Sequence, residues 1–140
     1  MKKILVLLGI MWLIASCSME EDNLKFQVEF IPVISVEAPE YMQPGHTYEF
    51  KVKYSRPTDC YYFDGFYHEP DGNAHIIAIQ ALVIQDADCK PIETLVPEEA
   101  IFQISCASDY SASSYVFKFY QGDDEQGEPI YLDMEIPVQQ

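Results

Sequence analysis

Two groups of polar side chains in this 140-residue chain contain the residue types that bind metal ions. The first group is His68, Glu69, Asp71 and His75, which flank an Asp-Gly turn. Two imidazoles with nearby carboxylates can bind zinc or copper. On a hairpin centred on that turn, the two histidines would lie directly opposite each other. No third ligand follows at a diagnostic spacing, so we favour an ordinary histidine pair and assign no metal ligand.

The second group consists of the carboxylates Asp123, Asp124, Glu125 and Glu128, in a loop bounded by two glycines. Carboxylate oxygens can bind calcium, but the residue order differs from that of an EF-hand loop. We therefore predict a solvated hairpin turn here. The sequence also lacks the Gly-x-Ser-x-Gly, P-loop and His-Glu-x-x-His motifs. We expect no enzymatic activity and assign no catalytic residue and no cofactor; a metal-binding protein and a small hydrolase remain distant alternatives.

Aromatic side chains are the best candidates for molecular recognition. The run Tyr61-Tyr62-Phe63, followed by Phe66 and Tyr67, falls within one predicted strand. Because successive side chains of a strand point to opposite faces, one core cannot bury every ring. Tyrosine is rigid and amphipathic, which suits stacking on a glycan or anchoring a protein interface. We take Tyr61, Phe66 and Tyr67 as candidate binding residues, with the alternative that these rings only cover a neighbouring strand.

The elements that must position these side chains are β-strands. Apolar and polar residues alternate through most of the chain, as in strands that place one face on a core. Tyr48, Phe50, Val52 and Tyr54 are one such series, and Phe26, Val28 and Phe30 begin another. The predicted strands cover residues 26–37, 47–55, 60–68, 74–85, 99–106, 114–121 and 129–138.

Two segments refine this pattern. Pro32 cannot donate a ladder hydrogen bond and predicts an edge position or a break in the first strand. Residues 74–84 are almost continuously apolar; a helix is conceivable, but the isoleucines favour a central strand covered on both faces. We therefore predict an all-β fold, an antiparallel two-sheet sandwich of immunoglobulin-like type with about seven strands, in one domain spanning residues 27–140.

The chain also has four cysteines, of which Cys17 is treated separately below. In the predicted hairpin of residues 60–85, Cys60 would lie opposite Val83, and the loop carrying Cys89 could fold back to it. We predict a Cys60–Cys89 disulfide, leaving Cys106 as a buried free thiol; pairings that involve Cys106 remain alternatives.

The N-terminus has the features of an exported and lipidated protein. Two lysines precede an apolar run of eleven residues, 4–14, which is too short to span a bilayer. The run ends in Ile14-Ala15-Ser16-Cys17, which resembles the lipobox of bacterial lipoproteins. That resemblance implies a signal peptide at residues 1–16 and a lipid on Cys17. An ordinary cleaved signal peptide with a chance cysteine is the alternative.

Residues 17–26 form a predicted acidic tether between lipid and domain. Acidic residues soon after the cysteine resemble a surface-export signal of Bacteroidota lipoproteins. The turn at Pro44-Gly45 and the segment Tyr115 to Tyr120, which leads into a glycine-bounded turn, also resemble small Bacteroidota surface lipoproteins with an immunoglobulin-like domain. The resemblance implies an outer-membrane lipoprotein on the cell surface, with a periplasmic orientation as the alternative.

Charge limits the partners of the domain. Without residues 1–16, which include Lys2 and Lys3, 124 residues remain with six basic and 23 acidic side chains, a formal charge of −17. Such a domain repels nucleic acid and anionic headgroups, so we expect no nucleic-acid partner. The leading hypothesis is a non-enzymatic binding or structural module with an envelope protein as partner. A glycan-binding surface protein is the runner-up.

Overall fold

A computed structural model describes residues 24–93 and 96–140. The predicted signal peptide, the lipidation site Cys17 and tether residues 17–23 lie outside the described residues. All regular elements in the described part are strands, which confirms the predicted all-β class. Their bounds are β1 Phe26–Ile31, β2 Val33–Glu37, β3 Thr47–Tyr54, β4 Tyr61–Asp71, β5 Ala74–Ile84, β6 Glu98–Ser105, β7 Ser114–Asp123 and β8 Pro129–Pro137.

The strands form two packed sheets, as the predicted immunoglobulin-like sandwich requires. One sheet has three strands in the order β2-β3-β6. The other has five, with β5 at its centre. Strand β4 pairs with one edge of β5, whereas β1 and β7 share the other edge, and β8 continues the sheet beyond β7. The apolar segment 74–84 is therefore a central strand, as predicted, and not a helix.

Pro32 explains why eight strands replace the expected seven. Residues before Pro32 pair with β5 in the five-stranded sheet, and residues after it pair with β3 in the other sheet. The proline has no N–H to continue a ladder, so the chain leaves one sheet there and enters the second. The single strand predicted over 26–37 is thus two strands, one in each sheet.

One pairing departs from the expected antiparallel pattern. Strands β5 and β7 run parallel, with Ala74 opposite Val116 and Ile77 opposite Phe119. The remaining strand pairs in the described part of the chain are antiparallel. This parallel contact places β7 beside β1 along the same edge of β5, which becomes important for the surface described below.

The hairpin of β4 and β5 has a different centre from the one expected. Asp71 pairs with Ala74, which leaves Gly72 and Asn73 as a two-residue loop. Gly72 has a φ of 64°, the left-handed conformation that a two-residue hairpin loop requires at its first central position. The prediction of a turn centred on Asp71-Gly72 was therefore wrong in register.

A bulge in β4 changes the register again. Phe63 pairs with Ala81 and Gly65 with Gln80, so Asp64 is an extra residue on the β4 side. Gly65 has a φ of 111°, which other residues rarely adopt. As a consequence Cys60 lies opposite Ile84, whose N–H it accepts at 3.1 Å, and not opposite Val83 as expected.

The disulfide joins Cys60 to Cys89, the pairing derived from the hairpin. The register shift moves Cys60 by one position, and the loop after β5 still returns to it. Backbone hydrogen bonds between the segments that flank the two cysteines, such as Asp59 N–H to the Lys90 carbonyl at 3.0 Å, hold the same contact. Cys106 is a buried free thiol, as expected.

The core lies between the sheets and is dominated by aromatic rings. Phe50 of β3 is fully buried, and its ring centroid lies 4.7 Å from that of Phe117, 6.0 Å from that of Phe119 and 6.1 Å from that of Phe102. These tilted and edge-on contacts join β3 and β6 of one sheet to β7 of the other. The core therefore fixes the position of the five-stranded sheet and of its outer face.

Candidate functional site

The outer face of the five-stranded sheet is unusually apolar at β1. Phe26, Val28 and Phe30 are 50%, 54% and 42% exposed, whereas Ile31 is 1% exposed. The alternation in β1 predicted that Phe26, Val28 and Phe30 face the core, and that prediction was wrong. The inner face instead carries Glu29, which accepts a 2.7 Å hydrogen bond from the Tyr61 hydroxyl.

Four aromatic rings from four strands form an open groove on this outer face. They are Phe30 of β1, Tyr67 of β4, Tyr120 of β7 and Tyr131 of β8. The groove has a volume of about 450 Å³, and Ile76 and Pro129 complete its apolar lining. We call this surface the aromatic groove. Its size is that of a site for a small molecule or for one or two side chains of a partner.

Phe30 is the centre of the aromatic groove. Its ring centroid lies 5.2 Å from that of Tyr67 and 6.1 Å from that of Tyr120. Both distances are those of favourable aromatic pairs, which hold the rings in place without a ligand. Because Phe30 is in β1 and Tyr120 is in β7, this packing depends on the two strands sharing one edge of β5.

Each of two groove tyrosines donates a hydrogen bond to a carboxylate that also lines the groove. Tyr67 donates to Glu69, and Tyr120 donates to Asp123 Oδ1 at 3.0 Å. The bond to Glu69 is the main cause that raises the pKa of Tyr67. Burial, followed by the bond to Asp123, raises the pKa of Tyr120. Both hydroxyls therefore remain protonated donors at neutral pH, and they fix the two carboxylates at the groove.

A lysine beside the groove lies over one of the groove rings. The Lys118 ammonium lies 5.8 Å from the centroid of the Tyr131 ring. This distance is within the range of a cation–π contact. No ion pair joins Glu69 or Asp123 to a lysine or arginine within residues 24–93 and 96–140. The two groove carboxylates therefore have no basic ion-pair partner in that part of the chain.

The structure separates the three aromatic residues predicted to bind a ligand. Tyr67 lines the aromatic groove, but Tyr61 and Phe66 pack on the inner face against the core. Phe66 contacts the Phe102 ring at a centroid distance of 5.3 Å. The three residues consequently cannot form one surface, and only Tyr67 of the predicted set belongs to the candidate site. The bulge at Asp64 causes part of this error, because it reverses the faces on which the later residues of β4 lie.

The histidines lie on the inner side of the hairpin, away from the groove. His68 pairs with Ile77, and His75 with Pro70, so the imidazoles are diagonal neighbours and not directly opposite as expected. They still meet, with His68 Nε2 and His75 Nδ1 at 2.8 Å. Burial lowers the pKa of both rings, and the charge of His68 lowers that of His75 further. The ring that accepts this hydrogen bond must be neutral, because only an unprotonated ring nitrogen can act as an acceptor.

Hydrogen bonding within the loop at 123–128 gives one of its acidic residues, Asp124, a structural role. The Asp124 carboxylate accepts the N–H groups of Gln126 at 2.8 Å and Glu128 at 2.9 Å. The Asp124 N–H in turn donates to the Glu128 carbonyl at 2.8 Å. Asp124 therefore closes the turn between β7 and β8. This segment is a hairpin turn, as predicted. No cluster of three or more potential metal ligands occurs among residues 24–93 and 96–140.

Comparison of the chain with protein-family models, with curated proteins and with solved structures returned no match in any of the three. Within the described ranges, the structure also contains no helix of the length and hydrophobicity needed to cross a bilayer.

Sequence reasoning missed most of the aromatic groove. Phe30 was expected on the core side of an alternating strand, and Tyr131 was covered only by the predicted strand 129–138. A usable signal existed in β4 and β7, where a tyrosine precedes a carboxylate by two or three residues, as in Tyr67 with Glu69 and Tyr120 with Asp123.

Proposed function

We propose that this protein is a lipid-anchored, non-enzymatic binding module of the bacterial envelope and that its ligand binds in the aromatic groove. The observation that carries the proposal is the convergence of four rings and two hydrogen-bonded carboxylates on one open face. Aromatic anchors with a few fixed polar groups are the usual composition of a recognition surface. The lipobox supplies the anchor, and the acidic tether holds the domain away from the lipid.

Exposure of the apolar side chains supports binding over a purely structural role for this face. Phe26, Val28 and Phe30 continue from the groove along β1 and are each more than two-fifths exposed. Contiguous exposed apolar surface on a soluble domain marks an interaction site more often than chance. The inner face, by comparison, already has its partner in the three-stranded sheet.

Binding arrays offer a test of the groove that does not assume a ligand. The full-length protein, in a non-ionic detergent, is applied to a glycan array and to a peptide array. Tyr67→Ala removes a groove ring, and Tyr62→Ala is the matched control, since Tyr62 is 50% exposed on the same strand but does not line the groove. We expect ligands of the wild type to be lost with Tyr67→Ala and kept with Tyr62→Ala. Equal binding by all three proteins, or no ligand on either array, would contradict the proposal.

The anchor has its own test in the producing cell. Replacing Cys17 with alanine removes the thiol that the lipobox would lipidate, so labelling with radioactive palmitate should be abolished and the protein released from membranes. Labelling that persists in the Cys17→Ala protein would refute the lipoprotein assignment. It would leave the aromatic groove unaffected, because the groove and the anchor are separate parts of the chain.

A further inference from the structure

We infer that the aromatic groove recognises a cationic side chain, lysine or arginine, in a basic segment of a partner protein. This inference rests on the proposed function and adds the chemical class of the ligand. Three properties of the groove support it, namely two carboxylates that form no ion pair within the described part of the chain, its aromatic walls and its size.

Charge complementarity is the first argument. Glu69 and Asp123 line the groove on two different strands, and each is oriented by a tyrosine hydroxyl. Neither forms an ion pair with a basic residue within the described part of the chain. Two fixed carboxylates at one opening attract a cation and disfavour an anion. The formal charge of −15 on the whole chain extends this preference to long range, because it steers basic partners towards the protein.

The aromatic walls are the second argument. Rings attract cations over their faces, and guanidinium groups also stack on them. The protein makes such a contact itself, since the Lys118 ammonium lies over the Tyr131 ring. The same ring lines the groove, beside Tyr67, Phe30 and Tyr120. A cation entering the groove would therefore meet aromatic walls and carboxylates together.

Size and openness are the third argument. A volume of about 450 Å³ accommodates a long side chain with part of its backbone, but not a folded element. The aliphatic stem of arginine or lysine can cover apolar surface such as Ile76 while its charged end reaches a carboxylate. The exposed residues Phe26 and Val28 extend the apolar surface along β1 for the neighbouring residues of the partner.

Calorimetric titration with matched peptides tests the inference. The probe is a capped heptapeptide with a central arginine, and its control carries citrulline, which has nearly the same shape without the charge. We expect the arginine peptide to bind full-length protein in non-ionic detergent at least fivefold more tightly than the citrulline peptide. Raising the salt concentration from 20 to 300 mM should weaken binding severalfold, because salt screens exposed charges.

Three variants assign the effect to the groove. Glu69→Gln and Asp123→Asn should each weaken arginine-peptide binding roughly fivefold, a factor that matches the loss of one exposed charge contact. Glu99→Gln removes the same charge from the exposed part of β6 in the other sheet and should leave binding unchanged. Near-equal weakening by Glu99→Gln and Glu69→Gln would show that only net charge matters, which would overturn the inference.

A panel of neutral oligosaccharides separates this inference from the proposed function. Oligosaccharide binding that needs Tyr67, tolerates Glu69→Gln and occurs without arginine-peptide binding would overturn the cationic ligand and leave the binding module intact. If neither peptides nor oligosaccharides bind in a manner that depends on Tyr67, the proposed function fails as well. Arginine-selective binding that is lost with Glu69→Gln supports both.

Discussion

Removal of the disulfide should destabilise the domain without changing the aromatic groove. Cys60 and Cys89 are separated by 29 positions, and the bond closes the whole β4–β5 hairpin into one loop. In the chain-entropy treatment, closing a loop of this length lowers the entropy of the unfolded chain and raises the free energy of unfolding by roughly 3.5 kcal/mol. For a domain of this size that free energy corresponds to a lowering of the melting temperature by roughly 15 °C. The groove residues Tyr67 and Glu69 lie towards the opposite end of the hairpin and should keep their positions.

The assay compares urea unfolding of the wild type with that of the Cys60→Ala/Cys89→Ala double variant, both followed by circular dichroism. The wild type in excess reductant should approach the variant, and reductant should have no effect on the variant itself. Cys106→Ala serves as a control that removes a buried thiol without opening the loop. Equal unfolding midpoints for the wild type and the double variant would contradict this prediction. They would show that the disulfide adds nothing to the backbone hydrogen bonds between residues 57–60 and 90–92.

Two further predictions concern the inner face of the sandwich. Burial lowers the folded-state pKa of His68 and His75 below the ordinary value of 6.5, so the unfolded chain binds more protons just below pH 6.5. The stability that these histidines contribute is present above pH 6.5 and is lost as the pH falls through the folded-state pKa. Urea midpoints that show the same pH dependence in the His68→Gln/His75→Gln protein would contradict this assignment. Phe50→Ala should cost roughly 3–5 kcal/mol of unfolding free energy, because Phe50 is fully buried among three rings; a loss below 1 kcal/mol by urea titration would contradict the described core.

The residue pattern predicted the strands better than it predicted their faces. Period-two alternation located β3 and β8 because one side of each packs against the core, and Pro32 located a break because proline removes a ladder donor. Alternation cannot state which side faces the core when both sides carry apolar residues. In β1 the inner face carries the buried Ile31 and the half-buried Glu29, whose carboxylate is hydrogen-bonded, whereas Phe26, Val28 and Phe30 lie on the outer face.

The register of β4 was the second feature that the pattern could not determine. A bulge adds one residue and reverses the faces of everything that follows it, so the faces of Phe66 and Tyr67 relative to Tyr61 depend on Asp64. The sequence did contain one signal for this bulge, because a glycine inside a strand, here Gly65, often marks one. In the structure Gly65 has a φ of 111°. The groove also depends on β1 and β7 sharing one edge of β5, a long-range pairing that local spacing does not encode.

The most direct test of the central claim is photo-crosslinking in the native envelope, because it asks which face of the domain meets its ligand. Phe30→p-benzoylphenylalanine places the crosslinker in the groove, and Ile101→p-benzoylphenylalanine places it at a residue of similar exposure, 43%, on the three-stranded sheet. We expect adducts from position 30 that Tyr67→Ala removes, and none from position 101. Adducts from position 101 alone, or position-30 adducts that are insensitive to Tyr67→Ala, would contradict it.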